Sequence, residues 1–173
     1  MPNTHFTFKG FTVHQDQCAM KVTTDACILG AWFAAKLRDN TYVLDLGAGT
    51  GLLTLMLAQK LKSEFHAIEI DLGSFRQLKQ NIDHCNWKDK IRVMIGDARN
   101  YRFPVKYDFI ISNPPYLATP EELTAEVFAH EPHEALFAPP GEPLFFYDTL
   151  LQQGSSWLKP GGFLFCELPH ERA

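Results

Sequence analysis

Cysteine is scarce in this chain and scattered. Cys18, Cys27, Cys85 and Cys166 form no CxxC pair, which argues against a zinc knuckle and against a disulfide framework. Reduced, mostly buried thiols are expected instead. Long hydrophobic runs are missing too: no window approaches the roughly 18 apolar residues of a membrane span. The first nine residues have no apolar segment behind a basic start, so the expectation is a cytoplasmic protein without membrane contact. Positive charge is in deficit, with 16 Lys and Arg against 20 Asp and Glu and a net charge of −4. Any surface meeting nucleic acid must therefore be a local basic patch. Repeats and low-complexity tracts are absent. What remains is 173 residues, 46% apolar and 21% charged, near the globular average. A single domain of this size buries roughly 70% of its unfolded surface and needs no staple.

Periodicity predicts strands alternating with helices. Residues 42–46, 65–70, 91–95, 107–112 and 163–168 are short apolar or β-branched runs bounded by turn residues. Helical patterns cover 52–62, 73–85 and 144–157. Alternating β and α with crossover-length connections implies a doubly wound α/β domain around a mostly parallel sheet. Before the first of these strands, 25–37 reads as a helix with Thr24 or Asp25 as its N-cap. Residues 1–24 form a separate lid segment, where alternating Phe6, Phe8, Phe11 and Val13 suit a hairpin or an extended cover. The domain proper is 25–173. Its stretch from 116 to 143 holds five prolines and reads as a long functional loop, with one short helix at 121–129.

Asp45-Leu-Gly-Ala-Gly-Thr-Gly51 ends the strand at 42–46 and opens a helix. Gly47, Gly49 and Gly51 let the backbone turn tightly and approach a ligand. Their spacing is GxGxG rather than the GxGxxG of a dinucleotide fingerprint. With Asp45 in front, it suits the amino-acid end of S-adenosyl-L-methionine, whose ammonium an aspartate accepts directly or through water. Glu69, about 20 residues on, is placed for two ribose hydroxyls, and Asp71 is the alternative or a helix cap. Gly96-Asp97-Ala98 follows the strand at 91–95, where Asp97 can accept from an adenine amino group and the Ala98 N–H can donate.

Ser112-Asn-Pro-Pro-Tyr116 follows the strand at 107–112, at the same edge of the sheet. Pro114 and Pro115 remove two backbone donors and stiffen the turn. The Asn113 amide oxygen and the Pro114 carbonyl are two acceptors for the two hydrogens of a planar NH2 group. Tyr116 adds a ring for stacking. Positioning and electrostatics, with no prior deprotonation, would drive a methyl transfer here.

These motifs together resemble the class I, Rossmann-like methyltransferases of planar nitrogen. The stretch from Phe6 to Trp32 (FTFKGFTVHQDQCAMKVTTDACILGAW) is similar to the bacterial methyltransferases that make N6-methyladenosine at position 37 of valine tRNA. The resemblance covers roughly residues 6–116. It implies S-adenosyl-L-methionine as cofactor, tRNA as substrate, and Lys21, Thr24 and Asp25 as residues that help close the site. Residues 117–123, 131–137 and 146–150 instead look like the release-factor glutamine methyltransferases, which share the NPPY loop. That likeness implies glutamine N5-methylation as the alternative, with a release factor as partner. The class I fold normally adds two strands after its fifth, so a truncated sheet, a fragment or a hybrid is expected, with self-association through the open edge; an inactive cofactor-binding remnant is the third possibility. His130 and His133, interrupted by Pro132, are not expected to hold a metal, and His5 and His14 are read as surface residues of the lid. Lys159-Pro-Gly-Gly162 is expected as a turn, Trp32, Trp87 and Trp157 as packing residues, and Lys9, Lys21, Lys36 and Arg38 as a weak footprint for a tRNA backbone.

Overall fold

The computed structural model describes residues 3–18, 20–115, 138–139 and 141–168. Among these, five parallel strands form one sheet: β3 (Tyr42–Leu46), β4 (Glu64–Glu69), β5 (Ile91–Ile95), β6 (Tyr107–Ser112) and β7 (Leu158–Cys166), in the order β5-β4-β3-β6-β7. A hairpin of β1 (His5–Thr7) and β2 (Thr12–His14) precedes them, so the N-terminal alternation is antiparallel pairing. Helices α1 (Thr24–Lys36), α2 (Leu52–Ala58), α3 (Leu72–Asp83) and α4 (Phe145–Trp157), with one 3-10 turn at Lys88–Lys90, complete the described elements. The short helix expected at 121–129 and the His130 and His133 pair lie outside the described residues.

Central β3 explains why its sequence is almost wholly apolar. Val43, Leu44, Asp45 and Leu46 are all buried, as befits a strand covered on both faces. Successive side chains go to opposite layers. Val43, Phe65, Ala67, Phe109 and Ile111 pack with the hairpin and with α1, α2 and α3, whereas Leu44, Leu46, Ile68, Met94 and Ile110 pack with Leu150 and Trp157 of α4. Helices thus cover both faces, as a doubly wound sheet requires. Strand order reverses between β3 and β6, and open α/β sheets bind ligands at the carboxyl ends of the strands at such a switch point.

Several boundaries differ from expectation. The N-cap of α1 is Thr23, whose hydroxyl accepts from the Ala26 N–H at 3.2 Å, rather than Thr24 or Asp25, which lie inside the first turn. Helix α2 stops at Ala58 instead of 62, because the chain must turn there to enter β4. Lys62 N–H donates to the Asp39 carboxylate at 2.8 Å and its carbonyl accepts from Asn40 N–H at 2.8 Å, which anchors that turn. β4 ends at Glu69, leaving Ile70 outside the strand. Lys159-Pro-Gly-Gly162 is a bulge inside β7: Tyr107 pairs with Leu158 but Phe109 with Phe163, so the extra residues loop out opposite Asp108. Lys159 caps the bulge with a 2.7 Å ion pair to Asp108.

Trp157 is buried and Trp87 packs against the larger core, but Trp32 is half exposed, edge-on to Phe165 with Lys36 over its ring. Cys18 and Cys85 are buried, Cys27 and Cys166 half-buried, and all four are free thiols. Among the described residues no helix is long and apolar enough to cross a membrane.

Candidate functional site

The glycine loop leaves β3 and turns into α2 at the switch point. Gly47 and Ala48 N–H groups both donate to the Ile68 carbonyl, at 3.0 and 3.1 Å, which pins the loop to the end of β4. Gly49 has φ +54° and a side chain there would meet nothing within 4 Å, so the loop borders open space. Gly51 is different: with φ +82°, an added Cβ would come within 2.6 Å of Leu78 Cδ1, so this glycine serves the packing of the loop on α3. Beneath the loop, Asp45 is 2% exposed. Its Oδ2 accepts from the Thr54 hydroxyl at 2.6 Å, while its Oδ1 is buried with no partner. Burial pushes the Asp45 carboxyl up to about 6, with the Thr54 hydrogen bond opposing and the Glu69 charge adding to it. An orphaned carboxylate oxygen is costly to leave unpaired, and a cationic donor would satisfy it.

Glu69 closes β4 and is 7% exposed. Its carboxylate accepts from the N–H groups of Gly49 (2.8 Å), Ile70 (2.8 Å) and Asp71 (3.0 Å). A carboxylate offers about four lone-pair positions, so one is left for a ligand hydroxyl, and a second follows if the Gly49 N–H turns away. Asp71 acts as the cap of α3, accepting from Ser74 N–H at 2.7 Å, which leaves the ribose position to Glu69. Ile70 and Leu72 beside it are 63% and 51% exposed, an apolar surface at the sheet edge. Asp97 lies past β5, tied in a two-pronged ion pair to Arg99 (2.7–3.0 Å) that holds its carboxyl below the usual range. The Ala98 carbonyl accepts from Tyr101 N–H in the same turn.

Asn113, Pro114 and Pro115 continue from β6 at the neighbouring strand end, and Tyr116 lies outside the described residues. Ser112 hydroxyl donates to the Leu46 carbonyl at 2.9 Å, locking the root of this loop to the root of the glycine loop. Asn113 Oδ1 is the other buried side-chain atom without a partner among the described residues. The two orphan acceptors therefore sit at the carboxyl ends of adjacent strands, Asp45 among the last paired residues of β3 and Asn113 just past β6, β3 pairing directly with β6. Residues of this kind fit a ligand with an ammonium and hydroxyls on one side and a planar amine on the other.

The N-terminal segment folds back on α3 beside Glu69. Asn81 receives His14 N–H (2.9 Å) and donates to the carbonyls of His14 and Thr50 (2.8 Å each), so one side chain joins hairpin to glycine loop. Gln77 accepts from Gln17 N–H at 3.0 Å, and Gln15, 3% exposed, accepts from Val22 N–H at 2.8 Å. Lys21 donates its ammonium to the carbonyls of Gln15 and Cys18, which places it in the framework of this segment. Thr24 and Asp25 are exposed in the first turn of α1. Of the basic residues, Lys36 and Arg38 stand over the Trp32 and Phe109 rings at the opposite end of α1, away from Thr24 and Asp25. Sequence reasoning missed Thr54, Gln15, Gln77, Asn81 and Glu167. Only Gln77 and Asn81 carried a signal, two amides four residues apart on one helix face.

Comparison with known proteins agrees with this geometry. The family model "methyltransferase small domain" matches residues 23–142. A tRNA1(Val) (adenine(37)-N6)-methyltransferase of Dyadobacter fermentans is 48% identical over 115 residues, covering 66% of this chain and 47% of that protein. The protein of the same description from Salmonella enteritidis PT4 is 43% identical over 143 residues, 77% of this chain and 58% of its own. The chain thus spans about half the length of the curated relatives it matches. Two solved structures share the fold: a SAM-dependent methyltransferase from Geobacter sulfurreducens in complex with S-adenosyl-L-homocysteine (TM-score 0.54, 20% identity, 91% of this chain and 54% of that one) and coclaurine N-methyltransferase (TM-score 0.58, 21% identity, 86% and 39%). With its parallel sheet wound as in those Rossmann-like class I enzymes and most of its length matched by one family model, the chain belongs to the methyltransferase small domain family.

Proposed function

We propose that this chain binds S-adenosyl-L-methionine and transfers its methyl group to the exocyclic N6 of an adenine in tRNA, at position 37 of valine tRNA. The observation that carries it is the pair of orphan acceptors, Asp45 Oδ1 and Asn113 Oδ1, on neighbouring strand ends of the switch point. The relatives 43–48% identical to the chain support adenine and tRNA as the target. S-adenosyl-L-methionine, when bound, supplies an electrophilic methyl on a sulfonium centre.

Each residue then has a task. Asp45 and the Gly47, Gly49 and Gly51 loop receive the amino-acid end, Glu69 a ribose hydroxyl, and Asp97, once the exposed Arg99 side chain swings off its carboxylate, an adenine together with the Ala98 N–H, against the apolar surface of Ile70. Asn113 Oδ1 and the Pro114 carbonyl accept the two hydrogens of the target amine, which draws its lone pair out of conjugation, and Tyr116 stacks on the target base. Lys21, Thr24 and Asp25 close the N-terminal side, Lys21 by holding its segment together. No base is needed before transfer, so orientation supplies most of the rate. The test is methyl transfer from labelled S-adenosyl-L-methionine to valine tRNA, to the same tRNA lacking the position-37 adenine, and to a peptide release factor. Label on the first substrate alone is expected, and label on the release factor alone would replace this function with glutamine methylation.

A further inference from the structure

Asn113 can act as described only if its amide is turned the right way round. The oxygen and nitrogen ends of an asparagine amide have nearly the same shape and exchange by a half turn. With NH2 toward the substrate amine, donor would face donor, so something must select one of the two orientations. The loop itself offers little, because Pro114 and Pro115 have no N–H.

The strand register places a selector beside it. Ser112 pairs with Cys166 across β6 and β7, so Asn113 and Glu167 leave the sheet side by side. Glu167 N–H donates to the Ser112 carbonyl at 3.3 Å, and the hydroxyl of buried Tyr147 on α4 donates to the Glu167 carbonyl at 3.1 Å. The first holds the Glu167 backbone against the root of the Asn113 loop, and the second ties it to α4. Its side chain is half-buried there, with Asp25 of α1 close enough to act on it electrostatically. Burial and then the Asp25 charge push the Glu167 carboxyl up, while a hydrogen bond from the Asn113 side chain works against them. An ionised carboxylate only accepts, so the Asn113 end that meets it is the NH2. The opposite end, Oδ1, is the buried atom left without a partner.

We infer that Glu167 is a positioning residue of the methyl-transfer site, accepting from the Asn113 NH2 and so presenting Asn113 Oδ1 to the substrate amine. This rests on the function proposed above. It gives a role to a residue at the far end of the sequence from the glycine loop, in a segment where no motif stands. Charge assistance makes the contact stronger than a neutral hydrogen bond, and losing it leaves the amide free to turn.

The test uses the full chain with Glu167→Met, which keeps the length of the side chain and removes the acceptor, and Glu167→Gln, which retains a neutral one. Single-turnover methylation of valine tRNA is expected to fall about 10- to 100-fold in Glu167→Met, the range of one lost charged hydrogen bond. S-adenosyl-L-homocysteine affinity should hold, Glu167→Gln should recover most of the rate, and Glu167→Met should add nothing to Asn113→Ala. In 15N-labelled protein the Asn113 side-chain amide protons are expected to move upfield in Glu167→Met and part of the way in Glu167→Gln. Parental transfer by Glu167→Met, a loss that adds in full to that of Asn113→Ala, or unmoved Asn113 protons would each overturn the inference. Should the parent chain not methylate tRNA at all, the proposed function falls, and the amide protons still decide whether Glu167 holds Asn113. Should Glu167→Met not fold, Glu167→Gln carries the same amide readout.

Discussion

Single atoms decide the chemistry of this site. Asn113 Oδ1 and Asp45 Oδ1 are both buried and unpartnered, and each has its own test. Asn113→Ala is expected to leave S-adenosyl-L-homocysteine affinity nearly unchanged and to lower the methyl-transfer rate by about 10²–10³, the scale of one lost preorganised contact. Single-turnover methylation with cofactor binding measured separately checks it; transfer at the parental rate would take the asparagine out of the mechanism. Tyr116→Ala should act on tRNA affinity instead, since stacking is worth about 1–3 kcal/mol per base, and Tyr116→Phe should keep most of it. At the other end of the site, Glu69→Ala is expected to weaken cofactor binding roughly 10-fold, read by calorimetry. Asp45 offers a signed pH test. Burial raises its carboxyl to about 6, and an ammonium beside it must draw that value down. Binding near pH 6 should therefore release protons, seen as a dependence of the apparent binding enthalpy on buffer ionisation enthalpy, and uptake of protons would contradict the assignment.

Elements place those atoms through a few side chains. Helix α3 carries Asn81, which bonds the hairpin and the Thr50 carbonyl at once. Asn81 is 1% exposed, so Asn81→Ala strands three backbone groups and should destabilise the chain by about 2–4 kcal/mol. Amide exchange is expected to rise first in residues 12–17 and in the glycine loop. Exchange rising uniformly over the sheet would show instead that the hairpin does not report on this contact. The glycine loop, the alternation of strands and helices and the cap at Asp71 were legible in sequence because each is local: spacing, period and one capping side chain suffice. Legibility stopped at the turn after Ala58 and at the β7 bulge, where contacts with Asp39 and Asp108 on other strands or loops override local pattern.

Across the whole molecule, stability should depend on pH through groups that never touch a ligand. Burial raises the Cys18 thiol from 9.0 to about 11, and the Tyr107 hydroxyl is raised as well. Both keep their protons longer folded than unfolded: the stability Cys18 contributes is full below pH 9 and is lost as pH rises through 11, while that from Tyr107 begins to fall only above pH 10. For Cys18 the loss is on the order of 3 kcal/mol. Melting temperatures between pH 8 and 11 should fall, and less steeply in Cys18→Ala; identical slopes would remove Cys18 from the account. His66 works at the acid side with the opposite sign. Burial holds its pKa below 6.5 while Tyr107 bonds its ring at 2.7 Å, so protonation favours the unfolded chain as pH drops beneath 6.5.

Sequence alone determined the alternation of strands and helices, the glycine spacing with Asp45 before it, the acid at Glu69 and the Asn113-Pro-Pro turn. These are short-range patterns, set by backbone sterics and by which face of an element must be apolar. Only the tertiary structure decided that Glu69 already holds three N–H groups, that Arg99 occupies Asp97, that Lys21 belongs to the frame of its own segment, and that Glu167 stands against Asn113. Those pairings join residues by strand order and register, and Glu167 meets Asn113 only because β7 lies beside β6 in parallel. No local spacing encodes that neighbourhood, since it arises from packing the whole sheet against helices on both faces.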